Sequence, residues 1–142
     1  MNKKFILKTY VLAASVFISS ISVGQITSNP MYTETVNKAD SFFKSKEYIT
    51  AASMYSNAFK ANAGRGKIKD RYNAACCWAL IGNPDSAFFQ LYRIAIQGKY
   101  TNYEEFLKEP AFSSLHKDKR WEPLIAIMVK ARKDIEDSIK QD

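Results

Sequence analysis

The run Tyr72-Asn73-Ala74-Ala75-Cys76-Cys77-Trp78-Ala79-Leu80-Ile81-Gly82-Asn83-Pro84-Asp85 decides how this chain folds. Tyr72, Ala75, Trp78 and Ala79 recur at the helical period, and Ala74 and Cys77 widen the stripe. Gly82 supplies the left-handed position that ends a helix. Asn83, Pro84 and Asp85 then open the next one. Asn covers an orphan N–H, Pro has none to orphan, and Asp meets the positive helix end. Ala87, Phe88, Leu91, Ile94 and Ala95 form a second stripe that stops at Gly98. Two consecutive helices joined by a tight turn are predicted, the first beginning near Ile68.

Upstream the same period continues, and no stretch reads as a strand. Val36, Ala39, Phe42 and Phe43 share a face between about residues 31 and 45. Ser45-Lys46-Glu47 breaks that helix. Ala51, Ala52, Tyr55, Ala58 and Phe59 make another, ending near Asn62, and Ala61 to Gly66 is the natural joint between helix pairs. Downstream, Tyr103 to Lys108 reads as a short helix with Asn102 and Glu105 in capping-box relation. Glu109-Pro110 ends it, and Ala111 to Leu115 reads as a further turn. A last helix begins near Asp118 to Trp121, with Pro123 tolerable in its first turn. It carries Leu124, Ile125, Met128, Ala131 and Ile135, and Ile139 extends the stripe. Alanines at 39, 51, 58, 75 and 87 let backbones approach, while Phe42, Tyr55 and Trp78 fill wider gaps. That alternation favours antiparallel helix pairs.

The two pairs repeat each other. Ala39-x-x-Phe42 recurs as Ala75-x-x-Trp78, and Ala51-x-x-x-Tyr55 as Ala87-x-x-x-Leu91, both at an offset of 36 residues. On these residues the chain resembles the tetratricopeptide repeat family, with repeats at about 32–63 and 68–98. Lys38 and Ile94 depart from its pattern, Lys38 standing at a position that is usually apolar. The run from Tyr72 to Asn83 is similar to exported bacterial proteins with degenerate repeats of this kind. So is the tail Phe106-Leu107, Phe112, Leu115-His116, Asp118-Lys119-Arg120-Trp121 and Leu124. The resemblance implies an all-α domain over residues 32–140, with residues 101–139 as a tail that covers the exposed face of the last repeat.

Residues 1–24 read as a secretory signal peptide: Lys3 and Lys4 precede a short apolar run, and Ser22 and Gly24 stand before the expected cut. Residues 25–31 form a short extension. The apolar run is nearer 12 residues than the 20 a span needs, so no stable membrane span is expected after cleavage. The formal charge of +7 falls to +4 when Lys3, Lys4 and Lys8 leave with the leader. An exported localisation, periplasmic or secreted, follows, and it removes most opportunity for nucleic-acid binding.

Helical repeats bind through the face lined by the first helix of each pair. Here that face is expected to hold Thr33, Val36, Asp40, Phe43 and Lys44, then Lys69, Tyr72, Asn73, Cys76 and Ala79. Its mixed character suits a peptide or a partner helix. Asp40 opposes the carboxylate grip that some repeats of this class use. A second candidate is a basic joint of Lys60, Arg65, Lys67, Lys69 and Arg71, with only Asp70 opposed. Cys76 and Cys77 are adjacent, so they point about 100° apart on a helix and read as packing residues. His116 lacks converging ligands or a nucleophile, and Gly64-Arg65-Gly66-Lys67 lacks the spacing of a phosphate loop. No metal, cofactor or catalytic group is expected. The expected role is a non-catalytic interaction scaffold. The alternative is an accessory, small-ligand or saccharide-binding protein of the cell envelope.

Overall fold

The computed structural model describes residues 29–141, and the expected leader lies outside the described residues. Six α-helices follow in order: α1 Pro30–Lys44, α2 Tyr48–Ala61, α3 Ile68–Leu80, α4 Pro84–Tyr92, α5 Tyr103–Lys108 and α6 Trp121–Gln141. A π-helical turn, Arg93–Gln97, continues α4, and a 3-10 segment, Pro110–Leu115, precedes α6. No strand occurs among the described residues. The helices α1 with α2, and α3 with α4, form stacked antiparallel pairs, with α2 also lying against α3.

Local chemistry sets these boundaries. Asn29 caps α1, its side chain accepting from the Met31 N–H at 3.1 Å, with Pro30 at the first helical position. α1 ends at a left-handed Lys46, φ 62°, whose N–H and that of Glu47 return to the Phe43 and Phe42 carbonyls. Gly82 takes the left-handed conformation after α3, φ 75°, as its sequence position requires. Asn83 accepts from the Ser86 N–H at 3.0 Å, so the predicted α3–α4 turn forms as written. The expected capping box at α5 does not form. The Asn102 amide donates to the Glu105 carboxylate, which also accepts from the Tyr100 hydroxyl, so neither side chain serves the backbone.

α3 is shared between two cores. Ala74 and Cys77 join Tyr32, Val36, Ala39, Ala51, Tyr55 and Ala58 on one side. Ala75, Cys76 and Ala79 join Phe88, Leu91, Phe106, Phe112, Leu115 and Trp121 on the other. The zero or near-zero exposure of the alanines shows why small residues stand there: bulk at those points would separate the helices. Lys38, at its usually apolar position, points outward and pairs with Glu34 at 2.8 Å.

Two arginines hold the tail, one against α4 and the other between α5 and α6 within it. Arg120 bonds Asp118 and, at 2.7 Å, Asp85 at the start of α4, with its guanidinium over the Phe88 ring. Arg132 of α6 makes a bidentate pair with Glu104, both contacts 2.6 Å, and lies over Tyr103. Leu124 and Met128 are buried, but Ile135 and Ile139 are 48% and 69% exposed. The expected apolar stripe of α6 therefore stops packing near Arg132, because the helix outruns the core it covers.

Candidate functional site

The tail lies across the side of α3 on which an open binding face was expected. Pro110–Leu115 packs on α3, and Tyr72 donates to Glu109 at 3.0 Å while its ring meets Phe106 and Phe112 at 5.7 and 5.4 Å. Cys76 is 2% exposed beneath it. Val36 is 7% exposed, turned into the first core beside Tyr32 and Ala39. Val36 and Cys76 are thus core residues rather than contact residues, and Tyr72 is half-covered. For Cys76 the reason is that the cap takes this side of α3 as its apolar seat; for Val36 it is the packing of α1 on α2.

What stays accessible is a strip along α1 and α3. Tyr55 of α2 reaches between them and donates to the Asp40 carboxylate. Asn73 donates to the Tyr55 hydroxyl at 3.2 Å and to Asp40 at 3.4 Å. The Lys69 ammonium stands 3.7 Å from Asp40 and is three-quarters exposed. Burial, then the bond to Asp40, holds the Tyr55 phenol far above its ordinary range, so it remains a donor. Phe43, set edge-on to Tyr48 with centroids 6.0 Å apart, and the exposed Lys44 flank the cluster. Asp40, Lys69 and Asn73 are therefore brought together, with Phe43 and Lys44 one helical turn further along α1 from Asp40.

The basic joint does not form one patch. Lys60, Arg65, Lys67 and Lys69 are exposed, but Arg71 is 5% exposed. Residues two apart on a helix point about 160° apart, so Lys69 turns towards α1 while Arg71 turns inward. Arg71 donates to the Gln90 amide oxygen at 2.7 Å and to the Gly64 carbonyl at 2.5 Å, and its guanidinium lies 4.6 Å from the Phe59 ring centroid. Asp70 is also inside. It accepts from the Tyr32 hydroxyl, which itself accepts from the Lys67 N–H at 3.0 Å, and so ties the start of α1 to the start of α3.

Sequence reasoning missed Arg93. This residue begins the π-helical turn and donates to the same Gly64 carbonyl at 3.1 Å. Its only signal was a charge placed between Leu91 and Ile94, inside an apolar run. Arg71, Arg93, Gln90, Phe89, Trp78 and Lys60 line a cleft of about 460 Å³ between α2 and α4.

Neither thiol is set up as a nucleophile. Burial raises the Cys76 thiol far above its ordinary range and pushes Cys77 up to about 12. Both are free, and each faces a different core. His116 is exposed and its ring lies tilted against that of Trp121, centroids 4.5 Å apart. Among the described residues no three His, Cys, Asp or Glu side chains converge as metal ligands, and no helix is long and apolar enough to cross a membrane. The fold and its two surface features define a small all-helical domain of stacked helix pairs, plausible as a protein-interaction scaffold. No family model, curated protein or solved structure matches the chain.

Proposed function

We propose that the chain is an exported, non-catalytic scaffold of tetratricopeptide type that binds a peptide or partner helix along the α1–α3 strip. The observation that carries this reading is the Tyr55–Asp40–Asn73–Lys69 cluster. It holds a carboxylate and an amide in one place, with the exposed Lys69 ammonium 3.7 Å from that carboxylate. Groups held by a buried tyrosine lose little freedom on binding, so each contact they make yields more net affinity. The buried, protonated thiols, and a His116 packed against Trp121 rather than against an acid or nucleophile, support a non-catalytic role.

A photo-crosslinking residue at Lys44 of the full-length chain, in its native host, tests the reading. A discrete adduct is expected that disappears in an Asp40→Arg background. Equal labelling from a probe at Ser113, exposed on the tail, would refute a specific strip. Export is tested by sequencing the N terminus of the protein recovered from the envelope or medium, where cleavage after Gly24 is expected.

A further inference from the structure

Arg71 and Arg93 come from different helical segments and converge on one carbonyl oxygen, that of Gly64. The joint is shaped for this: Ala63 and Gly64 both take left-handed conformations, φ 53° and 73°. Arg71 is buried and Arg93 half-buried, yet neither makes an ion pair among the described residues. The Nε of Arg93 is fully buried and has no hydrogen-bond partner. Burial, then the neighbouring Arg93 charge, lowers the proton affinity of the Arg71 guanidinium. Among the described residues the carboxylate on the cleft wall, Asp85, is already bonded to Arg120 at 2.7 Å and its side chain is 86% exposed.

Stapling a loop does not explain this arrangement. One neutral amide would satisfy the Gly64 carbonyl. Two like charges set side by side with an orphaned N–H cost free energy unless something of opposite sign compensates them. Guanidinium groups match the planar, multidentate oxygens of carboxylates and phosphates. The adjoining cleft of about 460 Å³ lies within the range of small-ligand sites and exceeds what a bare ion fills. Its remaining wall includes Trp78 and Phe89, with Lys60 adding a third positive charge at the rim. π-helical turns, such as the one Arg93 begins, recur at functional positions.

We propose that the cleft between α2 and α4 binds a small organic oxyanion, a carboxylate or phosphate monoester carried on an apolar or ring-shaped body, with Arg71, Arg93 and Lys60 meeting the charge and Trp78 and Phe89 the body. The residues lining this cleft include none of Asp40, Tyr55, Lys69 and Asn73, so the site is distinct from the α1–α3 strip.

The indole N–H of Trp78 is the reporter, in two-dimensional ¹H–¹⁵N spectra of the full chain. Trp121, sealed in the tail core, serves as the internal control. Phenyl phosphate and phenylacetate carry the two anions on the same ring, benzyl alcohol is the neutral control, and inorganic phosphate is the bare ion. A saturable shift of Trp78, with Trp121 unmoved, is expected for at least one ring-bearing anion. Preference for phenyl phosphate by about tenfold assigns a phosphate ester, and equal or tighter binding of phenylacetate assigns a carboxylate. Arg93→Gln is expected to weaken binding by about tenfold or more, as loss of a charged hydrogen-bonding group does. Lys60→Glu, a change at an exposed position, should weaken it several-fold and covers the case in which Arg93→Gln fails to fold. The proposal is overturned by no saturable shift up to about 10 mM of either anion, a concentration that corresponds to negligible affinity. It is equally overturned if benzyl alcohol matches the anions, or if both variants bind as the wild type does.

Discussion

The Tyr72 ring of α3 stands edge-on to Phe112 of the tail, centroids 5.4 Å apart and planes at 63°. That contact turns a prospective binding face into an interior. Phe106 and Phe112 are themselves edge-on at 5.7 Å, and Trp121 follows at 6.2 Å from Phe112, so the tail enters as a continuous aromatic series.

Trp121 anchors that series at 2% exposure, against the same cluster as Leu91 and Leu124. Trp121→Ala is expected to cost about 3 to 5 kcal/mol, the usual range for truncating a buried Trp. Urea titration followed by far-UV circular dichroism checks it. A loss no larger than that of a surface change such as Ser113→Ala would refute the anchor role.

The Asp40 cluster makes a different prediction. Tyr55→Phe keeps the ring but removes the hydroxyl that donates to Asp40 and accepts from Asn73. Stability should fall by about 1 to 2 kcal/mol, since the Asp40 carboxylate is left short of a donor. Crosslinking from the Lys44 probe should weaken in the same variant. Asp40→Asn with Tyr55 intact should be milder in stability, because an amide oxygen still accepts the Tyr55 proton.

The helical frame was legible because its signals are local. Gly82-Asn83-Pro84 specifies a turn through the chemistry of three adjacent residues, and the Ala75 to Trp78 spacing specifies a face. The closure of the tail over Tyr72 and Cys76 was not. The resemblance implied a cap, but which side of α3 it covers depends on contacts between residues more than 30 positions apart. For the same reason Arg71 read as part of a basic joint. Only the fold reveals that the Gly64 carbonyl and Gln90 await it. The wide turn at Arg93 likewise left no local mark beyond a charge in an apolar run.

The adjacent cysteines give a chemical test of α3's double role. Cys76 and Cys77 face separate cores, and burial holds both thiols protonated at neutral pH. An aromatic disulfide reagent at pH 8 should react with neither in the native protein and with both in denaturant. The native rate should follow global unfolding and quicken in Trp121→Ala, which loosens the seat of Cys76. Rapid stoichiometric labelling of the native chain would show that α3 is not sealed on both sides.

Acid should release the tail at a predictable point. Arg120 bonds Asp118 through both its side chain and its backbone N–H, and this holds the Asp118 carboxyl down at about 2, against an ordinary 3.8. Hydrogen bonds from Arg132 likewise hold the Glu104 carboxyl below its ordinary range. A carboxyl whose folded value is depressed adds stability that is complete above its unfolded value and lost as pH falls through the folded one. The contribution of Asp118 is therefore nearly full above about pH 4, falls between there and about pH 2, and is gone only below that. In Asp118→Asn the stability difference from wild type should be largest at neutral pH and shrink across that window. Both carboxylates are solvent-accessible, so about 0.5 M salt should reduce the difference as well. Urea midpoints at pH 7, 4 and 2 decide the matter. A difference that stays constant with pH would assign Asp118 a shape role in the turn before α6 in place of a charge role.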